Sequence, residues 1–165
     1  MFDRIFITGI YGSGKTTLAR SMTKDTKRAF VDYDDMHTYS TKCDFNKVMK
    51  RLGSYSNFAI DAIPISVDDG VMGWKKFRKW EDNNKCSIVC CYTPDINIWL
   101  ERWAKKKHWI GHPSGDQVNE WKKHYKDFYT LNVHELYKLR NVPKCWDSIS
   151  NEYTSMEIMK GRLTL

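Results

Sequence analysis

"RIFITGIYGSGKTTLAR", residues 4–20, is the stretch that decides the fold. An apolar run, Arg4–Thr8, leads into a glycine-rich turn, and a helix-forming segment follows at once from Lys15. Gly9 to Thr16 satisfies G-x-x-x-x-G-K-S/T without a gap, in the order strand, loop, helix that such a loop needs to work. Its glycines let the backbone turn tightly with N–H groups facing inward, toward phosphate oxygens, and the helix start adds a positive end. Gly9, Gly12, Ser13, Gly14, Lys15, Thr16 and Thr17 are therefore the expected nucleotide-binding residues. Lys15 is expected to act on the outer phosphates, and the Thr16 hydroxyl to hold a metal. The cofactors this implies are ATP and Mg²⁺.

Outward from the loop, short apolar runs alternate with longer amphipathic stretches. Arg4–Thr8, Ala29–Tyr33, Asn57–Ile63, Cys86–Tyr92 and Lys144–Ser148 read as five strands. Their near-continuous apolar character predicts burial on both faces, as in a parallel sheet. Helices are predicted over Lys15–Lys24 and Asp44–Leu52, and from Asp68, where Val71, Trp74, Phe77 and Trp80 recur three apart. Asp95–Lys107 starts after Pro94 with an acidic first turn and ends in three lysines, which suits the helix dipole. Gln117–Arg140 reads as a long helical region with Asn132-Val133 as a candidate break. Thr154–Arg162 reads as a terminal helix capped by Thr154 or Ser155, with Glu157 in its first turn. The expected architecture is a three-layer α/β domain with a five-stranded parallel sheet, a single unit over 1–165 with a helical lid at about 102–117. In such sheets chemistry collects at the carboxyl ends of the strands.

Composition narrows the setting. The chain has a net charge of +7, and the stretch from Trp99 to Lys126 carries seven basic residues against three acidic ones. A basic balance favours an anionic partner, although a nucleotide site alone also recruits Lys and Arg. No segment approaches the roughly 18 apolar residues of a membrane span, and "MFDRIFITGI" lacks the pattern of a secretory signal. The five cysteines include no CxxC pair, and Cys90-Cys91 sits in an apolar run, so reduced, buried thiols in a cytoplasm are expected. For a viral protein that would be the host cytoplasm.

The residues after the other strands supply the acceptor side. "FVDYDDMH", Phe30 to His37, places Asp32, Asp34 and Asp35 at a strand end, where a carboxylate can take the proton of an attacking hydroxyl. Asp34 is the favoured base, Asp35 a helix cap, and Asp32 the substitute. Asp61 follows the third strand, where it would orient an acceptor, support Mg²⁺ through water, or start a turn. Arg102 and Lys105–Lys107 lead into "HWIGHPSGDQ", a predicted lid loop whose cations would stabilise a transferring phosphoryl group. His108 and His112 are four apart without a completing ligand set, so they read as ordinary lid residues. A GTPase switch is disfavoured, because Asp61-Ala-Ile-Pro64 is not Asp-x-x-Gly.

Taken together, these residues resemble the P-loop kinases of the polynucleotide 5′-hydroxyl kinase type, including phage enzymes that phosphorylate hydroxymethylated bases in DNA. The resemblance implies that Asp34, in the "DD" pair, is the base. His37 stands where that family has an acceptor-side Arg. In the lid, Arg102 matches one family arginine, and Lys106 falls in the place of the second. A Lys cannot make the planar two-pronged clamp of an Arg. The implied acceptor is a hydroxyl on DNA, the 5-hydroxymethyl group of a modified uracil ahead of a 5′ end. A free nucleoside, nucleotide or other small alcohol is the alternative, and a regulatory nucleotide-binding NTPase is the rival from another class.

Overall fold

Ile5, Phe6 and Ile7 are consecutive and fully buried, which a strand achieves only when both its faces are covered. The structure is a computed structural model and describes residues 2–32, 45–61, 70–106 and 113–163. Strand β1 (Arg4–Thr8) lies at the centre of the sheet. It pairs in parallel with β3 (Phe58–Ile60) on one side and with β4 (Ser87–Tyr92) on the other. Beyond these, β2 (Ala29–Val31) pairs with β3, and β5 (Lys144–Asp147) pairs with β4, both in parallel. These are the five expected strands. A sixth, β6 (Glu152–Thr154), adds to β5 in the antiparallel sense and gives the order β2-β3-β1-β4-β5-β6.

The helices are α1 (Lys15–Thr23), α2 (Phe45–Leu52), α3 (Gly70–Glu81), α4 (Ile96–Lys106), α5 (Gly115–Leu136) and α6 (Met156–Arg162). Alternation along the strands sorts the core into two layers. Phe6, Phe58, Ile60, Ile88, Cys90 and Tyr92 join a cluster with Trp74, Phe77, Trp99, Tyr125 and Tyr129. Ile5, Ile7, Ala59, Val89 and Cys91 join a smaller cluster with Leu18 and Ala19 of α1. Phe6 is met edge-on by Phe58, Phe77 and Trp80 at ring centroid distances of 5.2–5.4 Å, the arrangement aromatic quadrupoles favour.

Three local expectations change. The acidic residue before α4 caps the helix instead of entering its first turn, with Asp95 Oδ1 accepting the Asn97 N–H at 2.8 Å. Helix α5 runs unbroken through Asn132-Val133. Asn132 Nδ2 donates to Phe128 O at 2.8 Å and Val133 packs into the core, so tertiary burial overrides two poor helix formers. Ser155, not Thr154, caps α6, because Thr154 is taken up by β6.

Buried carboxylates tie the outer helices together. Glu81, at the end of α3, accepts the main-chain N–H groups of Arg140 at 3.0 Å and Asn141 at 2.5 Å. Glu135 on α5 is paired with Arg78 of α3 and with Lys138. Among the described residues no helix is long and apolar enough to cross a membrane.

The Glu135 pair should make acid stability measurable. Burial alone would raise its pKa, but the hydrogen bonds and charges of Lys138 and Arg78 prevail, and it titrates below the ordinary 4.5. With the folded value depressed, the stabilisation is fully present above about pH 4.5 and is lost as pH falls through the lower folded value. Denaturant unfolding should place Glu135→Gln about 2 kcal/mol below wild type at neutral pH. The gap should narrow as pH falls from about 4.5 through the depressed folded value. A gap independent of pH would contradict the pairing.

Candidate phosphate-binding site

The loop between β1 and α1 is shaped by three glycines. Gly9 has φ +149°, and a Cβ built on it would lie 2.2 Å from Cys91 O and 2.7 Å from Ser13 Oγ. Gly12 and Gly14 have φ +83° and +96°, a region that L side chains enter at a cost. The loop closes on itself through Ser13 N–H to Ile10 O at 3.1 Å. Trp99 Nε1–H donates to Tyr11 O at 2.8 Å, and the Tyr11 ring meets Trp103 edge-on at 5.4 Å. Gly14 is the N-cap of α1 and contributes no side-chain cap, so the helix presents its first N–H groups to the space in front of it.

Two side chains expected to act on phosphate stand at that helix start. Lys15 Nζ donates to Ile10 O at 3.0 Å, which folds the ammonium back over the loop. Thr16 Oγ1 donates to Asp61 Oδ2 at 2.8 Å. Asp61 directly follows β3 and is buried, so the neighbouring strand end delivers a carboxylate to the Thr16 hydroxyl. A hydroxyl and a carboxylate are hard oxygen donors, the set that Mg²⁺ prefers.

A cavity of about 690 Å³ opens in front of the loop. Lys15, Thr16 and Gly14 line one end, and Trp146, Ser148 and Asn151 line the β5–β6 side. Arg102 also lines the cavity. Its Nη1 donates to Ser148 Oγ at 2.7 Å and Thr93 Oγ1 at 3.2 Å, and its Nη2 to Ser148 O at 3.4 Å. The turn carrying Ser148 is itself fixed, because Asp147 Oδ1 accepts the N–H groups of Ile149 and Ser150 and Oδ2 pairs with Arg162. Sequence reasoning missed Ser148, Asn151, Trp146 and Cys91 as parts of this site. The Asp-Ser-Ile-Ser-Asn run that ends a predicted strand and continues past it is a usable signal.

The other predicted site residues divide. Asp32 follows β2 at the same sheet edge and is half-buried. Asp34, Asp35, His37, His108 and His112 lie outside the described residues, as does the centre of the predicted lid, 107–112. Lys106 is the last residue of α4. Cys86, Cys90, Cys91 and Cys145 are free and buried, as expected, and burial raises all four thiols. Among the described residues no cluster of three or more His, Cys, Asp or Glu is placed to hold a metal.

No protein-family model matches the chain, and no curated protein sequence matches it. Solved structures do. Deoxyadenosine kinase from M. mycoides, with the products dCMP and a flexible dCDP bound, is similar at a TM-score of 0.50 and 14% identity, over 98% of this chain and 96% of that one. YorR from Bacillus subtilis, in complex with phosphorylated GDP, is similar at a TM-score of 0.50 and 14% identity, over 97% and 93%. The likeness supports the fold that the resemblance drawn from the sequence implies, and not its polynucleotide type. The chain has the α/β fold of the P-loop kinases.

Proposed function

We propose that this protein is an ATP-dependent phosphotransferase whose acceptor is a hydroxyl group of a nucleoside or nucleotide. The observation that carries the proposal is the convergence of Lys15, the Thr16–Asp61 pair and the open start of α1 at one end of a cavity of about 690 Å³. That volume suits a nucleotide-sized ligand. The choice of a small acceptor over DNA draws on the two similar folds, which hold mononucleotides.

The donor's phosphates would lie along the N–H groups from Gly12 to Thr16. Lys15 would exchange the Ile10 carbonyl for phosphate oxygens, placing its charge where negative charge develops. Thr16, backed by Asp61, would hold Mg²⁺, which when bound supplies charge neutralisation on the phosphates. Arg102, fixed by Thr93 and Ser148, would hold the donor side of the cavity, and Lys106 at the end of its helix stays a candidate for the lid. The acceptor oxygen forms the new bond to the γ-phosphorus as the bond to the ADP oxygen breaks. Asp34, proposed as base from its place in the sequence, takes the hydroxyl proton. Asp32, Asp35 and His37 are proposed to line the acceptor.

Two measurements test this. ATP labelled at its γ-phosphate, offered to free nucleosides, nucleotides, DNA with 5′-hydroxyl ends and 5′-blocked DNA carrying 5-hydroxymethyluracil, should label the small acceptors. Label confined to either DNA would overturn the small acceptor in favour of the polymer. Label appearing only as inorganic phosphate would favour a regulatory NTPase. Asp34→Asn should lower transfer by about 10²–10⁴-fold while leaving ATP affinity unchanged in calorimetry. An unaffected transfer rate would remove Asp34 as base.

A further inference from the structure

We propose that Cys91 is a positioning residue for the phosphate loop, its thiol fixing the Ser13–Gly14 peptide so that the Gly14 N–H faces the cavity. The inference rests on the nucleotide-site reading given above. Cys91 sits on β4 opposite Trp146 of β5, with its side chain in the layer between the sheet and α1. Its Sγ–H donates to Ser13 O at 3.0 Å. The chain contains no cis peptide among the described residues, and in a trans peptide the C=O and the following N–H point in opposite directions. A Ser13 carbonyl turned down onto β4 therefore sends the Gly14 N–H upward, and Gly14 lines the cavity.

The same residue also receives the other end of the loop. The main chain at Gly9 passes over Cys91 O so closely that a Cβ there would lie 2.2 Å from it. Tyr129 Oη–H donates to that carbonyl at 3.4 Å, which anchors it to α5. A Cβ on Gly14 would lie 3.9 Å from Cys91 Sγ, so sulfur fills the space beneath the helix start. Burial pushes the Cys91 thiol up to about 12, so it remains a protonated donor at neutral pH. One β4 residue thus meets the loop at Gly9 through its carbonyl and fixes it at Ser13 through its thiol.

The test separates donor from packing. Cys91→Ala removes the donor, Cys91→Ser keeps one, and Cys91→Val fills the space without one should the alanine variant not fold. Each is measured by calorimetry against inorganic tripolyphosphate and against ATP, and its Tm is recorded. Cys91→Ala and Cys91→Val should bind both ligands about fivefold to tenfold more weakly. Cys91→Ser should return to within about twofold of wild type although its Tm is no higher than that of Cys91→Ala. Affinity that follows Tm instead of the donor, or that is unchanged in Cys91→Ala, would overturn the role of Cys91 alone. Wild-type protein that binds neither ligand would overturn the nucleotide reading and the role of Cys91 with it.

Discussion

The site depends on one close approach, the main chain of Gly9 over the carbonyl of Cys91. Any side chain at Gly9 would put a carbon 2.2 Å from that oxygen. Because the approach is allowed, the chain leaving β1 can cross β4 before turning up into α1. Strands β1 and β4 are neighbours, and the chain leaves β1 toward β2 on one side of the sheet and leaves β4 toward β5 on the other. A crevice opens at such a reversal outside the carboxyl ends of the strands. Lys15 and Thr16 start α1 there, and β3 ends beside them with Asp61. A bulkier residue at Gly9 would lift the loop and separate these groups together.

The aromatic residues around the basic stretch give this arrangement its rigidity. Trp99 is fully buried and spends its one polar hydrogen on the Tyr11 carbonyl of the loop. Tyr125 reaches Thr93 O at 2.5 Å, and Tyr129 reaches Cys91 O. These side chains carry the loop and the end of β4 on α4 and α5. Trp99, Tyr125 and Tyr129 all lie in the larger core cluster.

Legibility in the sequence followed the range of the interaction involved. The loop glycines, Lys15 and Thr16 are local, so a short pattern sufficed to place them. The five parallel strands were legible because strands covered on both faces lose their alternation and become continuous apolar runs. Strand β6 was not, since Glu152–Thr154 is short, largely exposed, and held by its ladder with β5. Cys91 read only as a buried thiol, because its contact with Ser13 spans 78 residues and no spacing encodes it. Arg102 read as a lid cation from its lysine-rich neighbours. Its bonds to Thr93 and Ser148 arise from tertiary packing and place it in the cavity wall.

The central claim is that the N–H groups from Gly12 to Thr16 hold the donor's phosphates in the cavity that Lys15 and Thr16 line. A crystal structure of the protein with a nonhydrolysable ATP analogue and Mg²⁺ tests it most directly. The account predicts phosphate oxygens within hydrogen-bond distance of those N–H groups, Lys15 turned from Ile10 O onto the phosphates, and the base toward Trp146, Ser148 and Asn151. A nucleotide seated elsewhere, with Lys15 still on Ile10 O, would contradict it.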